Sequence, residues 1–445
     1  MQLRVGKQGL SVAPTRAGMC PLGRSSCRLR REDGAIESIR EPVALPEEVR
    51  PPAHGRDFAL LWGGQFVSQM GDRLAMVAFP WLIYRSTGSA FSTGVTLALY
   101  TMPYVVFGMF AGVVIDRFNK RALMIAADLV RAALVLSVPF LAARWLPSVY
   151  VLSFATASVS VFFDPCKLAI LPEIVPATRL LRANSLLASG DSLTEVLGYG
   201  TAGFVVYYVS SRLAFTADSI TFVASALALG LMRYRPTTHR TPRFSARSVG
   251  REALQGVSYL LRNRGLTAIT ALLMGSAIGL GASYPLTFLF AVRIIGHGTR
   301  SFGLMESAIA LGYLVGALVM AWRGDRVPKG LAITLGVGVL GASIAVLGAV
   351  TSLDAALLAF LIAGAANAVA VISINTYFQE NVLEELRGRV WGVRFALTNS
   401  AYALSVLGAA ALAAGIDVPT LFVACGAVVA LPALVGVYIA AVRHA

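Results

Sequence analysis

The sequence predicts an all-α integral membrane protein, with twelve transmembrane helices in two pseudo-symmetric six-helix bundles. Three observations lead there. Over 445 residues, 56% are hydrophobic and 14% charged, with mean hydropathy +0.70, a combination soluble globular chains rarely reach. From Phe58 onward, apolar runs long enough to cross about 30 Å of hydrocarbon follow one another at short intervals. A unit of roughly 200 residues also occurs twice in the same orientation, the pattern of a transporter built from parallel halves.

Taken in order, residues 1–56 are rich in Arg, Glu, Pro and Gly and hold nothing periodic to bury. They read as a disordered basic cytoplasmic tail without a secretory signal peptide; a start at Met19 would shorten it. Spans are expected near 58–84, 91–115, 121–143, 148–171, 184–209 and 212–232, forming a first bundle over 57–232. A cytoplasmic linker follows over 233–265. Within it Val249 to Leu261 sets Leu254, Val257, Leu260 and Leu261 at helical spacing, as in a helix lying on a membrane surface. The second bundle, 266–445, should span near 266–292, 301–322, 330–350, 354–376, 391–414 and 418–442.

The net charge of +15 invites a nucleic-acid reading, but its distribution argues otherwise. Eighteen Lys and Arg fall in the expected cytoplasmic loops and five in the external ones, which is a positive-inside bias. The cations flank apolar helices and form no binding face. An even number of spans puts both termini on the cytoplasmic side of a multi-pass protein in a bacterial inner (cell) membrane. Four Lys among 38 cations, with abundant Ala, Gly, Val and Arg, suggest a GC-rich bacterial genome.

The chain is organised around Gly112-Val-Val-Ile-Asp116-Arg117-Phe-Asn-Lys120-Arg121, where one apolar helix ends in a charged turn and the next begins. Gly112 permits close backbone approach, Asp116 can cap or pair, and Arg117, Lys120 and Arg121 hold the turn at the cytoplasmic surface. A related turn contains Asp325 and Arg326, with Asp325 lying 209 residues after Asp116. Glu173, Val175 and Arg182 recur as Glu380, Val382 and Arg389 at identical internal spacing, 207 residues on. These turns are expected to act as conformational latches.

Ionisable groups inside a bilayer are costly and mark candidate sites. Asp72 and Arg73 lie near the middle of the first span, a depth that suits a water-filled cavity. Asp128 and Arg131 are three apart, able to meet on one helix face, and Asp164 and Lys167 repeat that arrangement. Asp191 and Glu195, four apart, have no cation beside them in sequence, so this pair and Asp72 are the candidates for proton coupling. Asp164 is also within reach of a pairing with Arg117. Asp218, Glu306 and Arg394 are expected near span ends, with their charges reaching water. Coupling is accordingly expected in the first half. Trp81, Tyr100, Tyr284 and Phe288 are candidate substrate contacts.

Other motifs fail on context. Gly336-Val-Gly338-Val-Leu-Gly341 matches a dinucleotide fingerprint but lies inside an apolar span, so helix packing explains it better. Gly108 with Gly112 and Gly312 with Gly316 are small-residue contacts of the same kind. No phosphate-binding loop is present, and the four His and four Cys make neither an intramembrane metal site nor a disulfide framework. No cofactor is expected.

The turn from Gly112 to Arg121 resembles the signature loop of the major facilitator superfamily. Gly71-Asp72, Leu171-Pro-Glu-Ile-Val-Pro176, Arg182-Ala-Asn-Ser185, Gln379-Glu-Asn-Val and Arg387-Gly-Arg-Val-Trp-Gly392 are similar to the branch that includes the enterobactin exporter and macrolide efflux proteins. The resemblance covers about residues 57–442. It implies the twelve-helix fold and export by alternating access, usually through proton antiport. Two departures stand out: Tyr199 occupies the place of a proline frequent in exporters, and Asn119 that of a glycine, which Asn can replace in a left-handed conformation. The expectation is a monomeric exporter of an amphipathic small molecule (an antibiotic, siderophore or other secondary metabolite), exchanged for protons in the lipid bilayer. Uptake of a metabolite and a membrane-embedded enzyme are the rival readings, the latter lacking a catalytic cluster.

Overall fold

The computed structural model describes residues 55–176, 179–234, 246–323, 327–383 and 386–438; at 108–117, 164, 181, 246–253, 323, 387–388 and 434–438 it describes the backbone alone. The expected tail therefore lies almost wholly outside the described residues, as do Asp325 and Arg326. The side chains of Asp116, Arg117 and Asp164 do too, and with them the Asp164–Arg117 pairing.

Among the described residues the chain forms fourteen α-helices and no strand. Those of the first half are α1 (Gly55–Thr87), α2 (Ala90–Arg117), α3 (Lys120–Arg144), α4 (Ser148–Ser160), α5 (Phe163–Ile174), α6 (Leu180–Tyr208) and α7 (Ser211–Leu231). After α8 (Ala246–Arg262) come α9 (Arg264–Phe290), α10 (Gly298–Arg323), α11 (Lys329–Val346), α12 (Leu353–Asn381), α13 (Arg387–Leu412) and α14 (Val418–Tyr438). Nine segments of the described chain are long and apolar enough to cross a membrane on length and composition. The α4–α5 run counts as one of these, whereas α1, α6 and α14 are absent from the nine. In α1 and α6 polar and charged residues lie mid-helix, which lowers their hydropathy.

Two elements differ from the sequence reading. The fourth span, expected to be continuous, is interrupted at Val161 and Phe162. Pro165 has no N–H to offer the Val161 carbonyl, so the helical ladder cannot run through unbroken. Asn119 is not left-handed: at φ −62° and ψ 109° it caps α3, and its side chain accepts from the Ala122 N–H. The linker helix α8 is present and longer than expected. Leu260 is buried while Leu254 and Leu261 face outward, and Arg389 of α13 donates to Gln255 at 2.6 Å.

Within the first half α1 packs on α6 and α7, and α3 on α7 and α4; within the second, α9 packs on α13 and α14, α11 on α12 and α14, and α10 on α12. The halves meet along two seams, α6 against α10 and α2 against α13. Large apolar side chains on the outside, such as Leu227, Leu404 and Trp322, are exposed on the protein, as suits a lipid-facing surface.

At the end carrying the α1–α2 turn, the seams are tight. Arg293, in a π-helical turn over Ala291–Ile295, donates to the Tyr84 hydroxyl at 3.2 Å and the Gly88 carbonyl at 3.3 Å. Arg300 donates to Tyr208 at 3.2 Å and Thr299 to the Gly203 carbonyl at 3.1 Å. A Cβ on Gly303 would lie 2.9 Å from the Gly203 Cα, and one on Gly94 2.1 Å from the Ala410 Cβ. This end of the molecule is closed.

Candidate functional site

A cavity of about 400 Å³ lies between the halves, in the part of the molecule nearer the α2–α3 turn. Its first-half wall is a stripe on α1, where Gln65, Ser68, Gln69, Asp72, Arg73 and Met76 recur at three- and four-residue spacing. Tyr100 and Tyr104 of α2, Phe163 and Lys167 of α5, and Asp191 and Glu195 of α6 complete that wall. From the second half, α13 supplies Asn399, Tyr402 and Ala403.

Three charge groups are built into this region. Arg131 of α3, itself buried, is ion-paired with Asp128 one helical turn earlier and lies 3.9 Å from Asp72 of α1. It also donates to Ser160 at 3.4 Å, and its guanidinium stacks on the rings of Phe222 and Phe163, 4.2 and 4.8 Å from their centroids. Asp218 of α7 completes the group. Instead of reaching water from a span end, as expected, its side chain is fully buried within the field of Asp72, Asp128 and Arg131. Gly71 makes that approach possible, because a Cβ there would lie 2.5 Å from an Asp218 carboxylate oxygen and 2.0 Å from the Thr221 hydroxyl. The Gly71-Asp72 pair thus has a steric reason for its glycine.

The second group centres on Arg73, 3.3 Å from Glu195 and 3.4 Å from the Tyr199 hydroxyl, with its guanidinium over the Tyr199 ring. The third is Lys167 with Asp191 at 3.6 Å; Gln69 also donates to Asp191 at 2.7 Å and accepts from Thr194 at 2.8 Å. Asp191 and Glu195 have no cation beside them in sequence. The fold supplies one to each from another helix, which spacing along α6 alone could not reveal.

The two charged turns carry a repeated ion pair. Lys120 pairs with Glu173 in the first half, and Lys329 pairs with Glu380 at the equivalent place in the second. Arg121 donates to the carbonyls of Leu229 and Tyr234 at the end of α7. The Tyr234 hydroxyl donates to Glu173, and burial with that hydrogen bond pushes the phenol above its usual range. Gly312 and Gly316 are small-residue contacts as expected: a Cβ on either would come within 2.4 Å of an α12 carbonyl. Gly336 and Gly341 are packed in the same way, a Cβ meeting the Ala366 carbonyl at 2.9 Å and the Gly426 carbonyl at 2.7 Å.

Of the aromatic candidates, Tyr100 lines the cavity. Phe288 is fully buried against Phe302 and Tyr84, and Trp81 packs near Tyr84 and Gly298 at the closed end. Tyr284 packs against Phe302. The sequence reading missed Gln69 and Tyr402, and noted Tyr199 only as a departure from the exporter pattern, not as a partner of Arg73. A polar stripe running through an otherwise apolar first span was the available signal for Gln69. For the tyrosines no signal exists in one sequence, since apolar packing employs the same residue type.

The family model for the Major Facilitator Superfamily matches residues 61–406. The chain belongs to this superfamily. Among curated relatives, this superfamily member is 25% identical to macrolide efflux protein A of Streptococcus pyogenes over 391 residues, which is 85% of the chain and 94% of the relative. It is 26% identical to the multidrug efflux pump Tap of Mycolicibacterium fortuitum over 386 residues, or 84% and 93%. Among solved structures, a POT family transporter in complex with a thioalcohol-conjugated peptide superposes with a TM-score of 0.70 at 12% identity, covering 86% of this chain and 96% of that one. The superfamily and these relatives are transporters and not enzymes. The protein is a multi-pass membrane transporter whose relatives include efflux pumps.

Proposed function

We propose that the protein exports an amphipathic small molecule, in the class of antibiotics and other secondary metabolites, by proton antiport with alternating access. The observation that carries this reading is an imbalance of charge. Among the described side chains, Arg73, Arg131 and Lys167 stand among more carboxylates than they can neutralise: Asp72, Asp128, Asp191, Glu195 and Asp218. In a low-dielectric interior such an excess is relieved by bound protons or by a cationic ligand, and competition between the two is the physical basis of exchange.

Asp72, Asp191 and Glu195 are the proposed coupling residues. All three line the cavity, and each is held by a cation on a different helix. Arg73, Arg131, Lys167 and Asp128 are the proposed partners that retain the charge balance. The tight end would face the outside and the cavity the cytoplasm, with both termini cytoplasmic in a bacterial cell membrane and one chain acting as the working unit. Lys120, Arg121 and Glu173, with Lys329 and Glu380, would hold this form as latches. Twelve crossings follow if α1, α6 and α14 span together with the nine apolar segments. The efflux relatives favour export over uptake.

The test is reconstitution in liposomes carrying an internal pH dye, with proton flux measured on adding a macrolide. Wild-type protein is expected to couple flux to the macrolide, and Asp72→Asn to fold normally and lose that flux. Normal coupled flux in the mutant would remove Asp72 from the mechanism.

A further inference from the structure

Glu306, expected near the outer end of its span with its charge reaching water, instead sits half-buried on the seam where α10 meets α6. There it interacts electrostatically with Glu195 of α6 and Arg73 of α1. The backbone register at this place is tightly fixed. Ser307, the next residue, donates to the Val196 carbonyl at 2.6 Å, and Val196 follows Glu195. One turn away toward the closed end, Gly303 and Gly203 interlock. The backbone at Glu306 therefore cannot part from that at Glu195 unless the seam itself opens.

Among the described residues, one cation, Arg73, acts on the two carboxylates Glu306 and Glu195. Arg73 comes from α1, Glu195 and Tyr199 from α6, Tyr284 from α9 and Tyr402 from α13. The π-helical turn also packs on α10, but its Arg293 is turned to Tyr84 and Gly88 and does not act on Glu306. On the other face of α10, α12 packs through small residues, Gly364 against the Ile309 carbonyl and Gly312 against that of Leu361. Arg73 still has its Nε without a hydrogen-bond partner among the described residues, so Glu195 does not exhaust it.

We infer that Glu306 is a proton-carrying residue of the transport cycle, contributed by the second half, which forms with Glu195 a carboxylate pair divided between the two halves. Closing the seam brings the two carboxylates together beside one guanidinium, and a proton taken from the aqueous phase on the closing side binds to an Oε of the pair. Opening the seam separates them and lets both ionise. Glu195 faces the cavity, so the proton can leave to that side when a cationic ligand arrives at Arg73 and Glu195. Seam closure consumes a proton, and acid favours the form described here. The inference rests on the proton-coupled reading above and assigns part of it to a residue outside the cavity wall.

The experiment follows the closed end directly. Nitroxide labels at Ser86→Cys and Thr351→Cys, in a background without the four native cysteines, report the separation of the halves across a pH series in detergent and in nanodiscs. The wild-type background should shift toward the short distance on going from alkaline to mildly acidic pH. Glu306→Gln, which mimics the protonated side chain, should hold the short distance throughout. Glu195→Gln should do the same, and Glu306→Asp should restore pH dependence. A merely structural Glu306 would change thermal stability and leave the pH profile in place. Wild-type pH dependence persisting in Glu306→Gln overturns the inference, and if that variant does not fold, persistence in Glu195→Gln overturns it equally. A flat wild-type profile also overturns it, without touching the export reading, which macrolide-driven flux decides.

Discussion

In the first half the helices around the cavity meet through ion pairs, whereas in the second half α10 meets α12 and α11 meets α14 through glycine and alanine. Arg131 alone gathers Asp72, Asp128 and Asp218 from three helices. In the second half, Gly364 faces the Ile309 carbonyl and Gly426 the Gly341 carbonyl, at distances where a Cβ would lie 2.0 and 2.5 Å away. Small-residue packing supplies van der Waals contact at the closest backbone approach and has one good geometry. Ion pairs can exchange partners. Two halves with one repeated pattern thus differ in what holds their helices together.

This contrast can be broken most strongly at Arg131. Arg131→Met should leave Asp128, which is fully buried, without its cation, at a cost of about 3–5 kcal/mol measured by thermal unfolding in detergent. A loss below that of the next variant would mean that the first-half charges are compensated by water. Gly364→Val should force α10 and α12 apart, a cost of about 1–3 kcal/mol in the same assay.

Smaller effects sharpen the comparison. The Lys329–Glu380 pair is 32% and 53% exposed, against 22% and 22% for Lys120–Glu173, which also holds Tyr234. A double-mutant cycle should therefore assign about 0–1 kcal/mol to the Lys329 pair and more to the Lys120 pair; equal couplings would make the two ion pairs equivalent despite their exposure. Smallest is the cap at Asp417, where the Thr420 N–H, then its hydroxyl, hold the carboxyl below the usual aspartate range. A depressed folded-state pKa contributes stability at neutral pH that is lost as pH falls through it. The melting-temperature gap between wild type and Asp417→Asn should shrink on strong acidification.

Much of the fold was legible because membrane spans write themselves in composition and repeats write themselves in spacing. The 209- and 207-residue offsets reappear in space as matching ion pairs, Lys120 with Glu173 and Lys329 with Glu380. The Asp128–Arg131 contact was readable from helical periodicity, since both partners share a helix. Partners on different helices were not: the cations of Asp191 and Glu195, the burial of Asp218 and the place of Glu306 depend on how helices are laid side by side. The depth of a residue along its span is visible in a sequence, but the direction its side chain takes is not.

The interruption between α4 and α5 has its own consequence for the order of events. Ser160, which accepts from Arg131, ends the piece before it, and Lys167, which holds Asp191, rides on the piece after it. A jointed rod does not have to transmit motion from one end to the other. The cation of Asp72 is therefore anchored to one piece of this span and the cation of Asp191 belongs to the other, so neither pairing is obliged to follow the other.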